Sequence, residues 1–185
     1  YWCNINHTER REVNNLMTIK INADTSDGLK LTSDTSGIIE LQNNGTTIIT
    51  SQQPAFQVYA STQSIANTTW QKIVYANEVF DTDGKFASNR FTPTVAGYYQ
   101  ISAATYMGST SGAAVLSIYK NGSSFKRGST AQGTTGMGLA PHVSALVYLD
   151  GDDYVELYTY QVTGGAADII GTADLSYFTG AYIRS

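Results

Sequence analysis

At 185 residues, the chain has room for one domain of roughly 130–150 residues plus an appendage, and a domain of that size buries about two-thirds of its unfolded surface without a covalent staple. Eleven Lys and Arg against fifteen Asp and Glu give a net charge of −4, which leaves no basic surface to gain counterion-release energy on a phosphate backbone, so no nucleic acid partner is expected. The single cysteine, Cys3, excludes an intrachain disulfide, no Cys/His grouping has zinc spacing, and no apolar run nears the roughly 20 residues of a membrane span, so no membrane insertion is expected.

Seventeen glycines, thirteen tyrosines and only three prolines, among abundant Thr, Ser and Val, favour strands and turns over helices, and a nearly all-β protein is expected. The sequence opens on Tyr1 rather than Met, which suggests a longer parent chain or processing. Residues 1–21 are the least β-like. Thr8 is a candidate N-cap, and Val13, Leu16 and Met17 follow at i, i+3, i+4 spacing, which predicts a short helix in this connecting segment. Helices under about 12–15 residues are marginal alone, so it would pack on something else, such as copies of itself.

A weak repeat follows. Asp24-Thr-Ser-Asp-Gly-Leu29-Lys-Leu31 is echoed by Asp34-Thr-Ser-Gly-Ile-Ile39-Glu-Leu41, each unit a polar turn and a few alternating residues. Such units cannot close a core within one chain; they bury apolar faces by stacking or by winding with neighbouring chains. Residues 22–53 are therefore read as a β-repeat shaft. Asn43-Asn44-Gly45 is a strong turn signal, with a short strand expected over 46–50, and Gln52-Gln53-Pro54 marks the boundary of a head over 54–185.

Strands are predicted in the head over 55–60, 71–75, 78–80, 97–107, 113–120, 123–127, 143–149, 154–162 and 176–183. Asp83-Gly84 supplies a turn, and Pro93 and Gly97 feed the long aromatic strand that starts at 97. That many short strands with turns between them suits a sandwich or jelly roll. Alternation places Val155, Leu157 and Thr159 on one face of their strand and Tyr154, Glu156, Tyr158 and Tyr160 on the other; Tyr98 and Tyr106 likewise oppose Tyr99 and Ile101. A face so rich in rings suits an interface, which predicts self-association through Tyr98, Tyr106, Tyr154, Tyr158 and Tyr160.

No catalytic set is recognisable, because His7 and His142 lie in no Ser/His/Asp or Cys/His setting, and the protein is expected not to be an enzyme. Asp150, Asp152 and Asp153 around Gly151 offer oxygens that suit calcium, as do Asp81 and Asp83, but without the loop spacing of a calcium cage; no cofactor is expected. Long loops of small polar residues over 108–112, 128–141 and 163–172 are the predicted recognition surface, with Ser109, Thr110, Ser111, Thr130, Gln132, Thr134, Thr135, Met137, His142, Thr163 and Asp168 as candidates. These loops hold no cluster of Trp or Tyr on which a sugar would stack, and Trp70 lies outside them. Asn6, Asn44, Asn67 and Asn121 each begin an Asn-x-Ser/Thr sequence, two of them explained as Asn-Gly turns.

Five motifs resemble, in order, those of the C1q-like globular head of the C1q/tumour necrosis factor superfamily. They are Pro54-Ala-Phe-Gln-Val58, Phe91-Thr-Pro-Thr-Val-Ala-Gly97-Tyr-Tyr99, Leu116-Ser-Ile-Tyr-Lys-Asn-Gly122, Leu149-Asp-Gly-Asp-Asp-Tyr-Val-Glu-Leu157 and Tyr177-Phe-Thr-Gly180. The resemblance covers nearly all of 54–185 and implies a jelly-roll head that forms a threefold trimer. No collagen Gly-x-y stalk precedes it. The 22–53 segment is instead similar to those placed ahead of C1q-like heads in bacteriophage fibre and virion surface proteins.

The expected function is a trimeric phage fibre or head appendage on the virion surface, binding a host-cell glycan or surface protein with its head and other virion proteins through its N-terminal part. A capping or capsid-decoration knob without a receptor is the alternative, and a secreted cellular pattern-binding protein the third reading.

Overall fold

In the computed structural model of the chain, the described residues are 40–43, 46–50, 53–134 and 136–185, and they belong to a compact unit over Ile38–Ser185. The predicted helix at 8–17, most of the repeat shaft and Thr135 lie outside the described residues. Among the described residues there are fifteen strands and no helix.

The first two, β1 (Glu40–Asn43) and β2 (Thr46–Thr50), pair antiparallel with Asn43 opposite Thr46, and the expected Asn44-Gly45 turn lies outside the described residues. In the head follow β3 (Ala55–Tyr59), β4 (Gln63–Ile65), β5 (Gln71–Lys72), β6 (Asn77–Asp81), β7 (Phe86–Ala87), β8 (Arg90–Phe91) and β9 (Gly97–Ala104). The remainder are β10 (Ala113–Lys120), β11 (Ser123–Gln132), β12 (His142–Leu149), β13 (Val155–Gln161), β14 (Ala167–Ile169) and β15 (Tyr177–Arg184).

One sheet runs β12-β9-β15-β3-β6; the other runs β11-β10-β13-β8-β7, with β5 also on β13, and β14 pairs with β4. All pairings are antiparallel. This is the expected jelly-roll sandwich. Consecutive strands repeatedly fall into different sheets, as in a double-sheet roll.

Between the sheets lies one apolar cluster centred on rings. Phe56 stacks on Phe91 at 4.4 Å between centroids and meets Phe178 edge-on at 4.9 Å, while Tyr99, Ile101, Leu116, Leu157 and Phe178 are all fully buried. Gly180 faces this cluster from β15, where a Cβ would meet Phe56 at 2.5 Å and Ile101 at 2.6 Å, so the closing Phe-x-Gly motif clears space for a ring. Along β9, Tyr99, Ile101 and Ala103 point into the core, and Tyr98 and Gln100 point outward.

Turn chemistry reads out as expected at Asn121-Gly122, whose φ values of +51° and +76° join β10 to β11 in the left-handed pair that tight hairpins prefer. Other elements differ. β11 extends to Gln132, so Thr130 and Gln132 are strand residues rather than loop residues, and the strand predicted over 71–75 pairs only over Gln71–Lys72. The short strands β4, β7, β8 and β14 carry too few residues for a visible alternation and were not foreseen.

Candidate functional site

Tyr106 and Met107, just past β9, gather the three predicted recognition loops. Met107 bridges to Leu139 and to Ile169, the Ile170 N–H donates to the Tyr106 carbonyl at 2.8 Å, and the Gly138 N–H donates to the Tyr106 hydroxyl at 3.2 Å. The Gly133 N–H donates to the Gly112 carbonyl at 2.9 Å. Ser109, Thr110, Ser111, Gln132, Thr134 and Met137 thus share one end of the sandwich, and Met137, on a turn closed by its bridge to Thr134, is its most exposed large apolar side chain, at 69%.

Thr163 adjoins the same end, because the Gly112 backbone presses on the Val162 carbonyl and on Thr163, leaving no space for a Cβ. Asp168 lies apart, opposite Ser64 in the β14–β4 pair, and His142 sits exposed opposite Ala104 at the start of β12.

The five candidate interface tyrosines are not on one surface. Tyr98 lies on the outer face of the sheet built on β9, and Tyr106 is held beneath the 133–139 loop. Tyr154, Tyr158 and Tyr160 lie on the opposite sheet, where Tyr158 stacks on Tyr119 at 4.1 Å, Tyr160 meets Trp70 at 5.4 Å and the Arg90 guanidinium covers Tyr154 at 4.5 Å. These rings already have partners within the chain. Burial first, then the Glu156 carboxylate and the neighbouring Tyr119 and Tyr154 phenols, push the Tyr158 phenol up.

The face around Tyr98 has a different character. Tyr98, Gln100 and Ser102 on β9, Ser144, Leu146 and Tyr148 on β12, and Thr179 and Ala181 on β15 lie side by side in register as a mostly polar-neutral and aromatic face, and charge enters at its edge, where Arg184 pairs opposite Tyr98 with its guanidinium 5.8 Å from that ring. Tyr98 meets Tyr148 edge-on at 5.3 Å, and Leu146 and Tyr148 are 53% and 46% exposed. Of the five tyrosines singled out in the sequence, Tyr98 lies on this face; counting rings along the chain does not count the partners that already cover the others.

Strand pairing also assembles a site that linear reading set aside. Trp70, far from Tyr160 in sequence, stands beside it on the outer face of the β10–β13 pair, with the Arg127 guanidinium 5.0 Å from the indole centroid. Together with Thr130, Val162 and residues 113–115 they line a cavity of about 410 Å3 next to the loop end. Of the loop candidates, Thr130 alone reaches it. A second cavity of about 380 Å3, between β11 and β12, is lined by Lys126, Arg127, Ser129, His142 and Ser144.

The acidic turn is spoken for internally. The Asp150 carboxylate accepts the Asp152 and Asp153 N–H groups at 3.3 and 3.2 Å, and Asp153 accepts from the Asp150 N–H, from Asn121 and from the Lys120 ammonium at 2.6 Å. Burial by itself would raise the Asp153 carboxyl; the hydrogen bonds from Lys120, Asn121 and the Asp150 N–H, with the Lys120 charge, outweigh it and hold the group at about 2. Among the described residues, no group of three or more His, Cys, Asp or Glu is placed to hold a metal ion.

Asn67 and Asn121 spend their side chains on backbone partners, the Gly164 N–H and the Tyr154 N–H, as turn residues do.

No family model matches the chain, and no curated protein matches it. Solved structures similar in fold include murine APRIL, at a TM-score of 0.56 and 8% identity over 71% of this chain and 100% of that one. The globular domain of zebrafish complement 1qA matches at 0.51 and 17% identity, over 71% and 99% of the two chains. Eiger TNF from S. frugiperda matches at 0.53 and 8% identity, over 72% and 94%. At these identities the likeness is one of fold, and the head is a C1q/TNF-like jelly roll.

Proposed function

We propose that this chain is the terminal part of a viral surface protein, a bacteriophage fibre or head appendage, whose C1q-like heads unite in threes and bind a glycan or protein on the host cell. The observation that carries this reading is the convergence of three small-residue loops on Tyr106 and Met107, beside the Trp70 cavity, at one end of a rigid sandwich. Adaptable loops on a fixed scaffold suit recognition, and the chemistry present calls for binding alone.

Self-association is supported by the exposed side chains of Tyr98, Leu146 and Tyr148 side by side on one face, since exposed apolar patches of this kind mark interaction surfaces. Three heads on one axis would present three sets of loops at once, and linked weak contacts of that sort gain about 10²–10⁴-fold in avidity when the geometry permits. The repeat at 24–41, similar to segments ahead of C1q-like heads in phage fibres, supports placement on the virion surface, with the N-terminal part meeting other virion proteins.

The test is adsorption of the purified protein to a panel of bacterial strains. Binding to at least one strain, lost when residues 133–139 are replaced by a short glycine linker, is the expected result. Adsorption no better than the loop-replaced control on every strain defeats the reading. The same exposed face favours a second reading, a knob that trimerises or caps the fibre without a receptor. Removing 54–185 separates the two: loss of adsorption with trimers intact supports recognition, and loss of trimers assigns assembly to the head.

A further inference from the structure

Two turns are fixed together where Trp70 leaves the chain. Fully buried Gln161 donates through its amide nitrogen to the Ile65 and Gly165 carbonyls at 3.0 and 2.8 Å, its backbone carbonyl accepts the Thr68 N–H at 2.8 Å, and Asn67 accepts the Gly164 N–H at 3.3 Å. Thr68, a β-branched residue, is held at φ +57°, a left-handed conformation such side chains rarely adopt. Backbone outliers held in place by surrounding hydrogen bonds cluster at functional sites. Here the outlier lies two residues before Trp70.

The indole and the Tyr160 ring, both half-buried, are splayed by 40° rather than laid flat on each other, and both line the cavity. Beside the indole, exposed Arg127 makes no ion pair among the described residues, whose two pairs join Lys72 to Glu156 and Lys120 to Asp153. A guanidinium fixed against a ring, with no carboxylate of its own, keeps its forked donor edge for a planar anion from outside. The cavity, about 410 Å3, falls in the range of small-ligand sites: apolar and aromatic walls with a few placed polar groups.

We propose that this cavity binds a carboxylate-bearing sugar. The apolar face of the pyranose would lie against Trp70 and Tyr160, the carboxylate would engage Arg127, and a ring hydroxyl would meet Thr130. The assignment deepens the host-surface reading and rests on it for the source of the sugar. An acidic peptide is the competing occupant: β10 beneath the cavity is hydrogen-bonded on both sides, to β11 and β13, but β11 at the cavity's rim is the edge of its sheet, so a peptide probe belongs in the test.

The experiment titrates the full chain, by calorimetry, with an oligogalacturonate, with the neutral galactose oligomer of the same length and with a tetraglutamate peptide. Oligogalacturonate is expected to bind at least about tenfold more tightly than either other probe. R127A should abolish that preference while keeping the wild-type melting temperature, and Trp70→Ala should weaken both sugars. Equal affinity for acidic and neutral sugar, tighter binding of the peptide, or no saturation by oligogalacturonate overturns the proposal. Adsorption to the bacterial panel is run beside it. If wild type and R127A adsorb equally, the cavity assignment fails and the host-surface reading stands; if neither adsorbs, that reading fails and the titration alone decides the cavity.

Discussion

At Asp153, burial and hydrogen bonding act in opposite directions, and hydrogen bonding wins because the carboxylate meets Lys120, Asn121 and a backbone N–H at once. The folded-state value of about 2 lies below the ordinary 3.8. A depressed carboxylate stabilises the fold fully above the unfolded value, and that contribution is lost as pH falls through the folded one. Denaturation at a series of pH values should therefore show stability draining between about 4 and about 2. Asp153→Asn should flatten that stretch and cost about 1–3 kcal/mol at neutral pH, because Lys120 and Asn121 lose their charged acceptor. Gly180 makes a steric argument at the same scale. Gly180→Ala puts a methyl group against the Phe56 ring and Ile101, and overpacking of this kind costs about 1–3 kcal/mol, to be read as a lowered melting temperature.

Among the elements, strands long enough to show alternation were legible. The prediction for 113–120 coincides with β10, that for 143–149 misses the first residue of β12, and that for 176–183 is offset from β15 by one residue at each end. Two-residue strands such as β7 and β8 exist only because Phe86 and Phe91 pair across the Ser88-Asn89 turn, both of whose residues have positive φ, and no period can announce that. The paired faces of β9 and β12 yield a prediction that separates assembly from folding. Leu146 is 53% exposed, so Leu146→Lys should change the stability of the protomer by no more than about 0.5 kcal/mol. The same change places three ammonium groups in the proposed trimer interface and should convert trimers to monomers in sedimentation; trimers that persist at micromolar concentration would remove that face from the interface.

At the scale of the molecule, the buried apolar cluster among the described residues runs from Phe56 to Phe178. Residues 54–185 expressed alone should accordingly show β-type circular dichroism and one cooperative melt, whereas a broad, non-cooperative transition would mean the preceding segment completes the core. The sequence alone determined the all-β class, the order of the long strands and the Asn-Gly and Asp-Gly turns, since alternation and turn preference act between residues near each other in the chain, and the jelly roll came from the resemblance carried by five ordered motifs. It also marked the loops that gather at one end. Tertiary structure alone decided which rings remain available. Tyr158 and Tyr160 of β13 and the preceding Tyr154 are covered by Tyr119, Trp70 and Arg90, whereas Tyr98 of β9 and Tyr148 of β12 face outward, edge-on to each other, with Arg184 at the side of Tyr98. The Trp70 cavity belongs to the same class, because its walls come from a turn and from strands β11 and β13 that only sheet pairing brings together. Exposure is a property of neighbours in space, and a linear pattern holds no record of them.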